Sequence, residues 1–357
     1  MNHRERILAA IARQPVDRLP TDIWATPEVR DNLQDVFGCS SFVAVWDHLG
    51  IDGIVGIAPD YVGPPLPDLG PDRQIDEWGI VRKWQPYAQG GYWEYDVHPL
   101  ANAETLADLD AYAWPQPAWY DFSVLRDKAR EHPQRAILYG YIAIFYYHNL
   151  LRGLERSLMD LVLRPAFTQH LVGRIAETFL DIHQAGFEAA GGQVDICQVT
   201  DDYGSQQGLL ISPAMFATVY RPWIARAIDL VKRYGIKVFH HDDGAIRDLI
   251  PDFISLGIDI LNPIQWRCYG MEQAGLARDF AGQVCFHGGM DNQHTLPFGT
   301  ADDVRREVEY NVATLGRLGT GYILAPCHNI QPNTPIENII AMYETAHTLP
   351  VAHAALE

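Results

Sequence analysis

Cysteine is scarce in this 357-residue chain: Cys39, Cys197, Cys268, Cys285 and Cys327 are odd in number, widely spaced and form no C-x-x-C. That argues against a disulfide framework and for a reducing compartment, so the thiols read as small hydrophobes and the chain as cytoplasmic. Positive charge is also short. Against 45 Asp and Glu stand 27 Lys and Arg, a formal net charge of -18, and no basic cluster offsets it. Such a surface repels a phosphate backbone or an anionic membrane, which removes nucleic acid from the expected partners. No apolar run nears the ~20 residues that span a bilayer. Residues 1–6 are charged and lead into an amphipathic helix pattern (Ile7, Leu8, Ile11) rather than a signal-peptide core. Also missing is a G-x-G-x-x-G after any apolar run, the fingerprint of dinucleotide-binding open sheets.

What is present is an ordinary globular composition, 48% hydrophobic and 20% charged, with material for one large core. Short apolar runs at 19–24, 53–57, 136–140, 194–199, 236–240, 258–262, 283–287 and 321–325 are bounded by Gly or Pro and read as buried parallel strands. Helical patterns separate them. Ser212 with Pro213 opens one helix, Thr300 with Asp302 and Asp303 another, and Thr334 with Pro335 and Glu337 forms a capping-box pattern before a third. Eight strands alternating with helices predict an α/β fold, a (β/α)8 TIM barrel behind an N-terminal helix, as one domain over 1–357. Residues 60–120 break the rhythm with dense Pro, Gly, Trp and Tyr. This insertion after the second strand is expected to hold a small hairpin over 77–95, as a cover for a pocket or as a surface or dimer contact.

In a barrel, chemistry collects where strands end. After the run at 194–199 stand Asp201, Asp202, Tyr203 and Gln206. Two adjacent carboxylates are not both comfortable when buried and ionised, so Asp201 reads as a turn cap and Asp202 as functional. After the run at 236–240 come His241, Asp243 and Gly244. Strand alternation puts His241 and Asp243 on one side, a common metal-binding pair, and Gly244 permits a sharp turn. His287 and Asp291 follow the seventh run, and Cys327, His328 and Asn329 the eighth.

At these strand ends the chain resembles the uroporphyrinogen decarboxylase superfamily, which includes zinc- and corrinoid-dependent methyltransferases. The similarity covers nearly the whole chain and is clearest over 4–24, 98–117, 151–155, 201–206, 241–265 and 322–343. The resemblance implies a (β/α)8 barrel. True uroporphyrinogen decarboxylases carry an Arg-Gln-Ala-Gly-Arg segment that grips the substrate's carboxylates. Residues 20–27 here offer Asp22 and no cation, which argues against haem biosynthesis. The methyltransferase branch binds zinc through His-x-Cys and a second Cys. Its motif falls on His241, Asp243 and His328, with Cys327 as the alternative third ligand. This harder donor set implies zinc, or iron or manganese, acting as a Lewis acid on oxygen rather than on a thiol.

The reading that follows is a methyltransferase that demethylates a small methoxylated or methylated compound and passes the methyl group to a corrinoid on a partner protein. Asp202, Gln206 and His287 are the candidates for catalysis; Tyr203, Asp291 and Trp24 are those for holding the substrate. The aromatic insertion suits an aryl substrate, and the resemblance implies a homodimer. The rival enzyme is a decarboxylase or other lyase on a smaller carboxylate, with Asp202 as its charge-stabilising acid. The other alternative is a non-catalytic barrel used as a binding subunit, which would need none of the three ligand-type residues.

Overall fold

The computed structural model describes residues 1–87 and 90–350. Seven parallel strands follow the expected runs and pair in sequence order: β1 (Ile54–Gly56), β2 (Ala136–Ile142), β3 (Ile196–Val199), β4 (Lys237–His241), β5 (Ile260–Asn262), β6 (Cys285–Met290) and β7 (Tyr322–Pro326). The run at 19–24 forms no regular strand. It makes parallel bridges only, Thr21 with Leu324 and Ala25 with Ile330. On its other edge, Gly53 N–H donates to the Thr21 carbonyl at 3.0 Å. Two residues explain the irregularity. Pro20 has no N–H for a ladder, and the Asp22 carboxylate accepts the Ile54 N–H (3.1 Å) where a strand would offer a carbonyl. The curled sheet is thus an α/β barrel with one irregular stave.

Alternation of side chains sorts the wall into two cores. Ala136, Ile196, Phe239, Ile260, Cys285 and Ile323 point inward and cluster with Ile7, Ala10 and Ile11 of helix α1 (His3–Ile11). Their neighbours Ile137, Cys197, Val238, Leu261, Phe286 and Leu324 join or face the outer core under the surrounding helices. Asn2 caps α1, with Glu5 completing a reciprocal capping box. The helix lies across the end where strands begin, Arg4 N–H donating to the Gln134 carbonyl just before β2. Arg6 and Arg18 both reach the fully buried Asp52, at 2.5 and 2.8 Å. Asp52 is thus a shared anchor, while Arg6 also pairs with Asp17 and Arg18 also donates to the Leu19 and Gly50 carbonyls.

The insertion carries the expected hairpin within a three-stranded antiparallel sheet, Arg73–Ile75, Val81–Tyr87 and Gly90–Val97. Asp60–Tyr61 pairs separately with Tyr120–Asp121. Ser212 accepts from Met215 N–H, and Thr300 with Asp303 forms a capping box, as the sequence predicts. Thr334 does not cap. The helix begins at Ile336 with Pro335 in extended geometry before it, one position too late, and Thr334 Oγ1 is buried without a partner. No helix among the described residues is long and apolar enough to cross a membrane.

One strand is bent on purpose. The register of β2 against β3 shifts between Leu138 and Tyr141, at Gly140, whose φ is +105°. His183 Nε2 accepts the Tyr141 N–H at 2.9 Å, while its Nδ1 donates to the Phe179 carbonyl at 2.7 Å. Burial holds the His183 pKa down to about 4, so the ring is neutral and able to accept. A Cβ at position 140 would lie 2.6 Å from Cys197 Sγ and 2.7 Å from the His183 ring. Gly140→Ala is therefore expected to lower the unfolding free energy by about 2 kcal/mol or more. Denaturant unfolding measures this, and a loss within about 0.5 kcal/mol, typical of an unconstrained site, would contradict the bulge's role.

Candidate functional site

The upper layer of the barrel interior is polar, and strand register explains why. Asn262 sits level with His241 on β4, and the next pair along, Leu261 with Phe286, sets His287 of β6 beside Asn262 on its other side. All three face inward by alternation from Phe239, Ile260 and Cys285. Their hydrogen bonds have a fixed polarity. Asn262 Nδ2 reaches the His287 main-chain carbonyl (3.3 Å), which can only accept, so that amide atom is the donor. It also donates to His287 Nδ1 at 2.7 Å. Asn262 Oδ1 then accepts from His241 Nδ1 at 2.6 Å. His287 must carry its proton on Nε2, which donates to Asp22 Oδ2 at 3.0 Å. Trp24 Nε1 donates to the same carboxylate at 3.1 Å. The outcome is one tautomer for His241, with the proton on Nδ1 and the Nε2 lone pair facing the rim.

That lone pair meets two other donors. His241 Nε2 is 3.8 Å from Asp243 Oδ2, and His328 Nε2 is 4.0 Å from the same oxygen. One ligand atom from each of the three residues lies within 4.8 Å of the others. Ligand bonds of about 2.0–2.2 Å at tetrahedral angles hold donors ~3.3–3.6 Å apart, so a small inward movement would suffice to close the set. Side-chain exposure rises from 13% for His241 to 36% for Asp243 and 46% for His328, leaving the outer side open. Gly244, at φ +94°, turns the chain directly after Asp243, and its N–H donates to Gln265 Oε1 at 2.8 Å. Burial lowers the His328 pKa, against the opposing pull of Asp243, which favours the neutral imidazole a metal needs.

Asp202 stands beside this group. Its Oδ1 is 3.8 Å from His241 Nε2 and accepts the Asp243 N–H at 3.2 Å. Burial raises its pKa, His241 opposes, and Asp243 adds to the rise. The Trp24 ring packs 5.5 Å from His241 and 6.4 Å from His328, walling one side. Below it lies a cavity of about 470 Å³ lined by Trp24, Phe239, Gln198, Leu138 and Asn329, with Arg30 as its one cation.

Other expected site residues lie elsewhere. Tyr203 is fully buried, stacks on Phe145 and donates its hydroxyl to Asp201, so it is core and does not meet a substrate. Asp291 is buried with both oxygens engaged: Oδ1 by Gln293 and His294 N–H, Oδ2 by Thr295 N–H and Arg267. It shapes a turn. His287 is 0% exposed with both ring nitrogens bonded, which makes it a support for His241 rather than a group that touches substrate. Gln206 is exposed, in a turn closed by Ser205 and Gly208. Cys327 is buried and its thiol donates to the Ile264 carbonyl at 3.1 Å, outside the group formed by the other three. Asp201 is a cap, though of the Ile144–Arg152 helix through Tyr146 N–H (2.8 Å). Asn262 and Asp22 were not expected at the site. Extending the inward parity of His241 to the neighbouring β5 would have found Asn262, whereas Asp22 lies on the irregular stave between β7 and β1, beyond the reach of strand alternation.

A family model described as uroporphyrinogen decarboxylase (URO-D) matches residues 141–349. A protein of Anaeromyxobacter sp. (strain Fw109-5) named uroporphyrinogen decarboxylase is 27% identical over 376 residues, spanning 97% of this chain and 99% of that protein. One of the same name from Legionella pneumophila (strain Corby) is 21% identical over 357 residues, covering 96% of each. Among solved structures, a methyltransferase from Methanosarcina mazei superposes with a TM-score of 0.68 at 17% identity, covering 97% of this chain and 98% of that one. The likeness to that structure establishes the fold.

The hydrogen-bond polarity has a direct spectroscopic check. With ¹⁵N-labelled histidine, His241 is expected to show a protonated Nδ1 and a bare Nε2, and Asn262→Leu should erase that preference. A His241 ring protonated on Nε2 in the unaltered protein would refute the assignment.

Proposed function

Since the chain belongs to the uroporphyrinogen decarboxylase family, whose members include decarboxylases and methyltransferases, we propose that it is a metal-dependent methyltransferase. Its substrate is a small methoxylated or methylated compound, and a corrinoid on a separate protein takes the methyl group. The observation that carries this reading is the convergence of His241, Asp243 and His328 within 4.8 Å at the strand ends, with the His241 lone pair fixed outward by Asn262. Three protein donors with an open outer side fit a catalytic metal. The two-nitrogen, one-oxygen set suits zinc, and iron or manganese as well. When bound, such an ion supplies Lewis-acid polarisation of the substrate's methyl-bearing heteroatom. A nucleophilic corrinoid would supply the acceptor, to which the methyl group would pass as a cation equivalent while the heteroatom kept the electron pair.

The chain's own residues then have distinct tasks. Asn262, His287 and Asp22 hold His241 in its ligand tautomer. Trp24 walls the methyl-bearing end of the substrate and excludes water from one side. Asp202, raised in pKa mainly by burial, stands where it can give a proton to an oxygen that loses its methyl group. The decarboxylase reading draws on the names of the relatives. Against uroporphyrinogen itself stands the charge of the mouth: one arginine lines it, and Asp22 is buried in its floor. A polycarboxylate needs several cations there.

Two outcomes are expected. After dialysis against zinc, His241→Ala and His328→Ala should each retain at least about tenfold less metal than the unaltered protein, with circular dichroism unchanged, and should lose methyl transfer. Cys327→Ser should match the unaltered protein in metal content. Equal zinc in all four proteins sinks the metal assignment. Separately, purified protein should form no coproporphyrinogen from uroporphyrinogen, and steady turnover would move the decarboxylase reading to first place.

A further inference from the structure

A second cavity, of about 270 Å³, lies where the insertion meets the barrel rim. It adjoins the mouth cavity, since the inward-facing Leu138 and Gln198 line both. Six aromatic side chains wall it: Trp78, Tyr120, Tyr139, Tyr141, Tyr147 and Phe179. Some form a packed set, Trp78 and Tyr147 at 4.7 Å and Tyr147 and Phe179 at 4.9 Å between ring centres. The Gly140 bulge, pinned by His183, sets Tyr141 at the edge. The metal reading uses none of these residues.

Charge in this cavity has one sign. Glu77 is the one carboxylate-bearing side chain in its lining, and it enters no ion pair among the described residues. Its Oε1 accepts the Tyr120 hydroxyl at 3.0 Å, which holds the carboxylate in place without neutralising it. The two cations nearby are already committed. Arg82 pairs with Asp76 at 3.0 Å and stacks over Tyr95. Lys128 pairs with Asp60 at 2.7 Å and donates to the Ala58 carbonyl. His183, the one imidazole in the lining, has both nitrogens bonded inside the protein.

An unneutralised carboxylate among aromatic faces attracts one kind of ligand: a cation too weakly hydrated to prefer water. We infer that this cavity binds the alkylammonium head of a small organic cation. Aromatic walls hold the methylated nitrogen, Glu77 supplies the counter-charge, and the rest of the molecule reaches past Leu138 and Gln198 into the mouth beneath Trp24. The site stands on its own lining. Its use as the anchor of the methyl-bearing substrate rests on the methyltransferase reading, with the reacting methyl group at the opposite end from the ammonium. A neutral aryl compound gains contact with the same walls but leaves Glu77 unpaired.

Choline and its neutral isostere 3,3-dimethylbutan-1-ol separate charge from shape. Calorimetric titration of metal-free protein should give one choline site per chain, bound at least tenfold more tightly than the alcohol. Glu77→Gln should remove that margin while thermal unfolding stays within a degree or two. Tyr120→Phe, which keeps the ring, should retain most of the affinity. The proposal fails if the alcohol binds as well as choline, if neither saturates, or if Glu77→Gln binds choline unchanged. His241→Ala, tested in parallel, separates the two readings. Choline binding that survives without metal retention leaves the cavity assignment standing alone, and zinc retention without choline binding leaves only the metal reading.

Discussion

Asp22 is the residue on which both the closing of the barrel and the state of its rim depend. One oxygen of its buried carboxylate takes the Ile54 N–H and so joins the irregular first stave to β1. The other receives His287 and Trp24. A ladder carbonyl in its place could have satisfied Ile54 but could not have reached the imidazole. The irregular stave is therefore no defect in an otherwise regular wall. It is the point at which a side chain replaces the backbone so that charge can be placed inside the barrel.

From that charge the order runs sideways through three strands. His287, Asn262 and His241 occupy neighbouring inward positions on β6, β5 and β4, and each hydrogen bond fixes the direction of the next. The arrangement is rigid because its members are strand residues with buried flanks, whereas Asp243 and His328 lie just past strand ends and are more exposed. One fixed nitrogen and two more accessible donors make a site that can adjust by a few tenths of an ångström without moving its base.

The barrel itself was legible in the sequence because alternating apolar runs and helices admit few arrangements. The run at 19–24 misled only in its regularity: Pro20 and Asp22 mark a segment that cannot ladder on both sides. Polar residues after strands were the harder problem. His241, Asp243 and His328 stand together, but Tyr203 and Asp291 have the same sequence context and serve the core and a turn. What separates them is whether nearby N–H groups and buried partners claim the polar atoms, and that depends on loop geometry that spacing does not encode. Thr334 failed as a cap for a similar reason, because Pro335 keeps an extended ψ and delays the helix by one residue.

Helix α1 has a consequence for traffic. Ile7, Ala10 and Ile11 fill the barrel at the end where strands begin, in one cluster with Ala136, Ile196 and Ile323. With that end filled, the polar layer of the interior faces the rim that carries His241 and Asp202. Under the methyltransferase reading, a substrate seated beneath Trp24 would have to enter before a corrinoid protein covered that rim, and the two would add in a fixed order.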